Sequence, residues 1–111
     1  MSTLLSGISE LDDNLKTLKK LTHLNLSGNK FYLMPEIITH LIGLQKLYIN
    51  ENDIYFLTAN FGRLVNLTVL EARDTNMSSL PSTIGRLVNL EVLNIGKNKF
   101  TQLVSIIYDM L

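Results

Sequence analysis

The residues from Leu64 to Arg73, LVNLTVLEAR, nearly recur from Leu87 to Gly96 as LVNLEVLNIG. The two copies are separated by a 23-residue period. Steps of the same length connect Asn29, Asn52 and Asn98, and an apolar residue stands two positions after each of these asparagines. A fixed period of this length indicates a repeat architecture that runs through most of the chain.

The period places leucines and other apolar residues in fixed columns. Each unit reads L-x-x-L-x-L-x-x-N-x-φ, where φ is apolar, and this is the leucine-rich repeat pattern. The first three columns are Leu21, Leu44, Leu67 and Leu90; Leu24, Leu47, Leu70 and Leu93; and Leu26, Ile49, Ala72 and Ile95. Because one unit cannot bury its own leucines, the units are expected to stack around a continuous core.

The predicted fold class is α/β, a leucine-rich repeat solenoid with 23-residue repeats. The alternating L-x-L segments predict short parallel strands on the concave face of a curved right-handed stack. Short helical turns, 3-10 helices or loops are expected on the convex side. Repeats start near residues 21, 44, 67 and 90, and the last one is truncated, which indicates a piece of a longer protein. We predict a repeat domain over residues 21–111 and a partial N-terminal repeat or makeshift cap over residues 1–20.

Composition excludes several classes of partner. The 111 residues include ten basic and ten acidic ones, so the formal net charge is zero and no nucleic-acid-binding surface is expected. The chain has no cysteine, which favours a cytoplasmic location. It shows neither a basic leader nor an apolar run of about 20 residues, so we expect no signal peptide and no transmembrane segment.

The sequence offers no motif for catalysis. It contains no phosphate-binding loop, no dinucleotide-binding glycine motif and no nucleophile elbow. His23 and His40 fall in different columns, and neither forms a metal-ligand spacing with another residue. We therefore predict that the chain is not an enzyme and holds no cofactor and no metal.

The asparagines that end each L-x-x-N segment have a structural interpretation. Asn29, Asn52 and Asn98 stand where the chain leaves a strand, and an amide there can bond backbone groups that would otherwise be buried without partners. Thr75 occupies the same column with one hydroxyl in place of an amide.

The positions that the repeat leaves free are the candidate binding residues. On the strand face they form a mixed polar surface with Tyr48 near its middle, which is typical of protein recognition. The candidates for partner binding on the concave face are His23, Asn25, Lys46, Tyr48, Asn50, Glu71, Arg73, Asp74, Asn94 and Lys97. A merely solvated face is the alternative.

Two further columns carry apolar residues outside the core pattern. Tyr32, Leu33, Tyr55 and Phe56 follow the asparagine position in two neighbouring repeats and form what we call the apolar edge patch. Either they are exposed and mark an interaction site, or the adjoining loop covers them in part. Ile42, Val65 and Val88, here called the strand-start column, precede the strands, and we expect them to pack in loops.

The residues between the motif positions resemble a known family. The run from Asn50 to Arg73 looks like an interior repeat of Scribble-type LAP proteins, which are scaffolds with leucine-rich repeats and PDZ domains. The run from Asn94 to Leu103 is similar to the following repeat of that family. Where the family has proline after the apolar residue, this chain has Asp12, Thr58 or Val104, so we expect less constrained turns there.

The resemblance implies a cell-polarity and junction scaffold. Such a protein holds partner proteins through its concave repeat surface and lies in the cytoplasm, at the basolateral membrane or at cell junctions. Contact with the inner face of the plasma membrane would be peripheral and made through partners. The alternatives are a soluble leucine-rich adaptor in Ras-type signal transduction and the targeting module of a larger enzyme such as a ubiquitin ligase.

Overall fold

The part of the chain that the structure describes contains five short strands, which form one parallel sheet whose order is that of the chain. The structure, a computed structural model, describes residues 2–4 and 20–98. The strands are β1 (Ser2–Leu4), β2 (His23–Asn25), β3 (Lys46–Tyr48), β4 (Val69–Glu71) and β5 (Val92–Asn94). From β2 onward each strand pairs with the next at one full repeat period, as His23 does with Lys46. The predicted period and the parallel sheet are therefore confirmed.

The first strand departs from this period. Ser2 pairs with His23, two positions short of a full repeat, in a strand that the repeat columns do not single out. The interpretation of residues 1–20 as a partial repeat or cap depends on residues 5–19, and the truncated last repeat depends on residues 99–111. Both segments lie outside the described residues, so these domain boundaries stay predictions.

A short 3-10 helix follows each of β2, β3 and β4. The helices are η1 (Glu36–His40), η2 (Ala59–Arg63) and η3 (Ser82–Arg86). Extended residues precede them: Pro35 and Pro81 with φ of −59° and −66°, and Thr58 with φ of −70°. Thr58 thus takes the backbone angle that a proline ring would impose, so this turn has the same shape as the others.

The apolar columns fill the space between the sheet and the helices. Leu24, Leu47 and Leu70 are 0% exposed at the centres of their strands. Each is flanked along its strand by partly exposed neighbours, because successive side chains of a strand point to opposite faces. Leu93 and Ile95 in the last described repeat are only partly buried. One continuous core therefore runs along the stack, as the columns predict.

A ladder of buried asparagine amides joins the ends of the strands. The Asn52 Nδ2 donates to the Ile49 carbonyl in its own repeat and to the Leu26 carbonyl in the preceding one, both at 3.0 Å. Its Oδ1 accepts a hydrogen bond from the Phe31 N–H at 3.4 Å. Asn98 makes the corresponding bonds two repeats later. The predicted structural role of these asparagines is confirmed.

Thr75 keeps only part of this ladder. Its hydroxyl donates to the Asn98 Oδ1, so it bonds forward to the next repeat. The strand-end carbonyl of Ile49 still has its bond from Asn52, and that of Ala72 has one from Asn98. Both strand-end carbonyls therefore have a hydrogen-bond donor, which explains why one threonine is accommodated in the column.

Candidate functional site

The predicted concave residues lie on the outward side of the sheet or directly after its strands. His23 and Asn25 flank the buried Leu24, and Lys46 and Tyr48 flank the buried Leu47 in the same way. Arg73, Asp74 and Lys97 are exposed, whereas Tyr48 and Asn50 are partly buried. His23 shares a hydrogen bond of 2.9 Å between its Nδ1 and the Thr22 hydroxyl. The fold therefore brings the predicted residues to one face.

Six of the outward residues line a shallow depression of about 200 Å³. The lining residues are Asn50, Glu51, Glu71, Arg73, Asp74 and Lys97. Five of these six were predicted from the repeat columns, and Glu51 was not among the selected residues. We call this site the concave depression. It lies at the C-terminal ends of β3, β4 and β5, and its lining carries charges of both signs.

Three of the predicted asparagines hold the backbone of this face. The Asn25 Oδ1 accepts a hydrogen bond from the Ser27 N–H at 2.9 Å, and the Asn94 Oδ1 accepts one from the Gly96 N–H at 3.3 Å. The Asn50 Oδ1 accepts one from the Arg73 N–H at 2.7 Å, across to the neighbouring repeat. These amide oxygens shape the turns after the strands, so Asn25, Asn50 and Asn94 position the backbone of this face.

The charged side chains of the concave depression form no ion pair with one another. Within the described residues, neither Arg73 nor Lys97 lies within ion-pair distance of Glu71 or Asp74. The Glu71 Oε1 accepts one long hydrogen bond of 3.4 Å from the Asn50 Nδ2. Their charges are thus left for solvent or for a partner.

The Arg73 side chain lies across the next repeat. Its Nε and Cγ stand 3.5 and 3.9 Å from where a Cβ on Gly96 would be, so it occupies the space left above that glycine. A side chain at position 96 would meet the guanidinium at ordinary contact distance. Arg73 therefore reaches from its own repeat to the backbone of the next repeat at Gly96.

Four equivalent residues at this edge of the sheet adopt the left-handed conformation. The φ angles are 74° at Gly28, 57° at Glu51, 55° at Asp74 and 55° at Lys97. A non-glycine residue in this region costs on the order of 1 kcal/mol, because its Cβ approaches the following carbonyl. The conformation recurs because the amides of this column bond to the neighbouring repeat, as the Glu51 N–H does to the Arg73 carbonyl at 2.9 Å.

The apolar edge patch is exposed. Tyr32, Leu33, Tyr55 and Phe56 are between 48% and 66% exposed, so about half or more of each side chain is in solvent. The two pairs stand in register, because the Tyr55 N–H donates to the Tyr32 carbonyl at 3.3 Å.

The strand-start column is exposed as well, so the expectation that it packs in loops is wrong. Ile42, Val65 and Val88 are 57%, 43% and 81% exposed. The side-chain amides of Asn66 and Asn89 donate to the carbonyls of Ile42 and Val65 in the preceding repeats, both at 2.9 Å, so these bonds join neighbouring repeats. The loops therefore leave a large part of each of these apolar side chains in solvent.

A larger open groove of about 610 Å³ lies at the N-terminal ends of the strands. Its lining includes Gln45, Asn66, Thr68 and Asn89. The Thr68 hydroxyl donates to the Gln45 carbonyl at 3.0 Å, and both asparagines are bonded as described above. Most of its polar groups already have partners in the chain, which makes it a weaker candidate than the concave depression.

A hydrogen bond to a titratable group, the Glu36 carboxylate, lies away from these sites on the convex side. The Asn60 Nδ2 donates to the Glu36 Oε1 at 2.6 Å and joins η1 to η2. That hydrogen bond, assisted by the Thr39 hydroxyl and the positive charge of Arg63, lowers the pKa of Glu36 below its ordinary value of 4.5, and partial burial opposes it. This is a contact between repeats and has no part in the concave face.

The described residues contain no group of three His, Cys, Asp or Glu side chains that could hold a metal ion. None of the helices described is long and apolar enough to span a membrane.

The comparisons with known proteins concern the fold. The family model of the leucine-rich repeat matches residues 20–41. The Leptospira interrogans LRR protein LIC12759 is 29% identical with a TM-score of 0.91, and the match covers 99% of this chain and 29% of that chain. An internalin of Listeria monocytogenes, inlF, is 23% identical with a TM-score of 0.83, and the match covers 98% of this chain and 31% of that one.

A plant structure is similar too. A chain of the BIR3–SERK2 complex from Arabidopsis thaliana is 29% identical with a TM-score of 0.70, and the match covers 80% of this chain and 50% of that chain. Among curated proteins, none matches this sequence. The chain spans less than a third of LIC12759 and of the internalin. These matches do not bear on the Scribble-type resemblance, which stays a prediction. With its parallel sheet, buried leucine columns and asparagine ladder, this chain has the leucine-rich repeat fold.

Proposed function

We propose that this chain is a non-catalytic module that binds a partner protein through the outward face of its sheet. The observation that carries the proposal is the concave depression, where charged side chains of both signs stand on a fixed backbone without ion pairs among the described residues. Complementary charges on a partner would supply specificity and register.

The rigidity of the face supports this proposal. The Asp74 N–H donates to the Gly96 carbonyl at 3.0 Å, and the Arg73 N–H donates to the Asn50 Oδ1 at 2.7 Å. Because the backbone is already ordered, a partner would bind without a large loss of conformational entropy on this side. Tyr48, partly buried among the polar side chains, supplies an aromatic anchor of the kind that dominates binding energy.

A narrower role as a cell-polarity and junction scaffold is part of the proposal. Its support is the run Asn50 to Arg73, in which Ala59 to Arg73 carries the residues specific to the Scribble-type repeat. The structural neighbour from a complex of two proteins, BIR3–SERK2, supports protein binding in general. We place the protein in the cytoplasm, with peripheral attachment at the basolateral membrane or junctions through its partners.

The test is capture of partners by the immobilised chain from an extract of its source cells, with bound proteins quantified by mass spectrometry. We expect the double variant Tyr48→Ala with Arg73→Ala to recover at least about tenfold less of any specific partner, the change that about 1.4 kcal/mol produces. Its unfolding midpoint should stay near that of the wild type, because both side chains point away from the core.

The matched control is His40→Ala with Arg86→Ala, which removes two exposed side chains from η1 and η3 on the convex side. This control should capture the same partners as the wild type. Capture that survives the concave double variant, or that is lost equally in the control, would count against the concave face.

A further inference from the structure

We propose that the concave depression recognises a partner segment in which a basic and an acidic side chain are separated by about two strand spacings, roughly 10 Å. The basic side chain would lie against Glu51 and the acidic one against Arg73 and Lys97. The inference rests on the proposed function and names the chemistry of the partner. The occupant is a segment of another protein.

The charges of the depression are ordered along the stack. Glu51, Asp74 and Lys97 occupy one column in three successive repeats, and backbone hydrogen bonds of 2.9 and 3.0 Å keep this column in register. Arg73 lies against Gly96, the chain neighbour of Lys97, and both cations line the depression. Glu51 stands at the other end, next to the uncharged Gly28 in the same column of the preceding repeat.

The spacing of the two ends defines the ligand. Neighbouring parallel strands lie about 4.8 Å apart, so Glu51 and Lys97, two strands apart, are separated by about 10 Å. A polyproline II segment rises about 3.1 Å per residue with three residues per turn, so its residues i and i+3 share one face at about 9 Å. A segment that reads basic-x-x-acidic in this conformation matches the two ends of the depression.

The left-handed positions make Glu51 and Lys97 costlier to the fold than glycine would be. Glycine adopts a positive φ without steric cost, and Gly28 holds this position in the preceding repeat. Glu51 and Lys97 hold it at a cost in backbone strain and form no compensating ion pair in the described part of the chain. Their charges therefore add nothing to the fold through ion pairs among the described residues and stay available to a partner.

Three synthetic peptides with blocked ends would test the inference by NMR titration of the ¹⁵N-labelled chain. They share the sequence PP-X-PP-Z-PP, with X and Z being Lys and Glu, Lys and Lys, or Glu and Glu. We expect the mixed peptide to bind about fivefold to tenfold more tightly than either like-charged peptide. Each like-charged peptide can form a surface ion pair at only one end of the depression, and the loss of one such pair weakens affinity by about that factor. The amide shifts should be largest at Glu51, Asp74 and Lys97, and higher salt should weaken the binding.

Charge reversal at each end supplies the decisive comparison. Glu51→Lys should make the Glu–Glu peptide the preferred ligand, and Arg73→Glu with Lys97→Glu should make the Lys–Lys peptide preferred. His40→Ala with Arg86→Ala should leave the wild-type order unchanged. Equal affinity for all three peptides, or shifts confined to the apolar edge patch, would overturn the inference.

The two proposals fail in different ways. If Tyr48→Ala with Arg73→Ala abolishes partner capture but the peptides are not distinguished, the inference is wrong and the proposed function stands. If partner capture is also unaffected by that double variant, both are wrong.

Discussion

At position 75 a threonine stands where the neighbouring repeats carry a ladder asparagine. Its hydroxyl reaches the Asn98 Oδ1, but within the described residues no side chain accepts a hydrogen bond from the buried Ile54 N–H. In the preceding repeat the Asn52 Oδ1 accepts the equivalent bond from Phe31. The ladder therefore has one gap, and the gap lies between two intact rungs.

We expect Thr75→Asn to stabilise the protein by about 1 kcal/mol, because it adds a net hydrogen bond to a buried amide. The new Nδ2 would also donate to the Ile49 carbonyl, which has a second lone pair available. Urea denaturation with an unchanged slope measures the gain. The reverse change, Asn52→Thr, should lose a comparable amount. A neutral or destabilising Thr75→Asn would show that the gap in the ladder has no energetic weight.

Glu36 gives a pH dependence whose sign follows from its environment. The hydrogen bond from Asn60 favours the charged carboxylate, so the pKa of Glu36 is lowered below 4.5 in the folded state. A lowered pKa stabilises the folded state above the unfolded value, and this contribution is lost as the pH falls through the folded pKa. We expect Asn60→Ala to raise the Glu36 pKa, measured by NMR titration of the side-chain carboxyl.

The same pair makes a prediction for stability. The difference in unfolding midpoint between the wild type and Asn60→Ala should shrink as the pH falls through the Glu36 pKa, because the protonated carboxyl gains less from the Asn60 hydrogen bond than the carboxylate does. Asn89→Ala is the control, because its amide makes a similar bond of 2.9 Å to the Val65 carbonyl, remote from Glu36. A Glu36 pKa that moves equally in both variants would contradict the assignment.

At the scale of single residues, the sequence predicts the residues that hold the repeat together better than those that line the candidate site. The ladder asparagines are recognisable because they recur at the repeat period. Asn50 was selected as a partner-binding residue, and only the structure shows that its amide oxygen holds the Arg73 N–H. Glu51 stands in the same column as the predicted residues Asp74 and Lys97, and only the structure shows that it also lines the depression.

Among the elements, the 3-10 helices depend on how closely neighbouring repeats can approach. The Thr83 hydroxyl of η3 donates to the Ala59 carbonyl of η2 at 2.6 Å. A Cβ on Gly62 would lie 2.7 Å from the Thr83 Cβ and 2.8 Å from its carbonyl oxygen. Real Cβ atoms do not approach other atoms so closely, so the two helices are packed against each other through a glycine.

We expect Gly62→Ala to destabilise the protein by about 1 to 3 kcal/mol, the usual cost of inserting a methyl group into a packed contact. Gly85 is the matched control, one repeat later, with no described atom within 4 Å of the place that an added methyl group would take. Gly85→Ala should change the free energy of unfolding by less than about 0.5 kcal/mol, or raise it slightly. Equal effects in the two variants would show that the helix contact is loose.

For the whole molecule, the stacking of repeats makes the fold predictable from the sequence. It does not determine the binding site. Leu24, Leu47 and Leu70 lie where the period places them, because a buried column must recur at every repeat. The outward residues face no such demand, and their environment depends on turns that the period does not specify. This is why the exposure of Ile42, Val65 and Val88 could not be read from their regular spacing.

The same separation between framework and surface predicts the behaviour of the apolar edge patch. Tyr55 and Phe56 are 51% and 48% exposed, whereas Phe61 in the following helix is 0% exposed. We expect Tyr55→Ser with Phe56→Ser to cost less than about 2 kcal/mol, because half of each side chain is already in water. Phe61→Ala alone should cost about 3 to 5 kcal/mol, since it leaves a cavity in the shared core. Urea denaturation of the two variants decides the matter, and a larger loss in the double variant than in Phe61→Ala would place the patch inside the core.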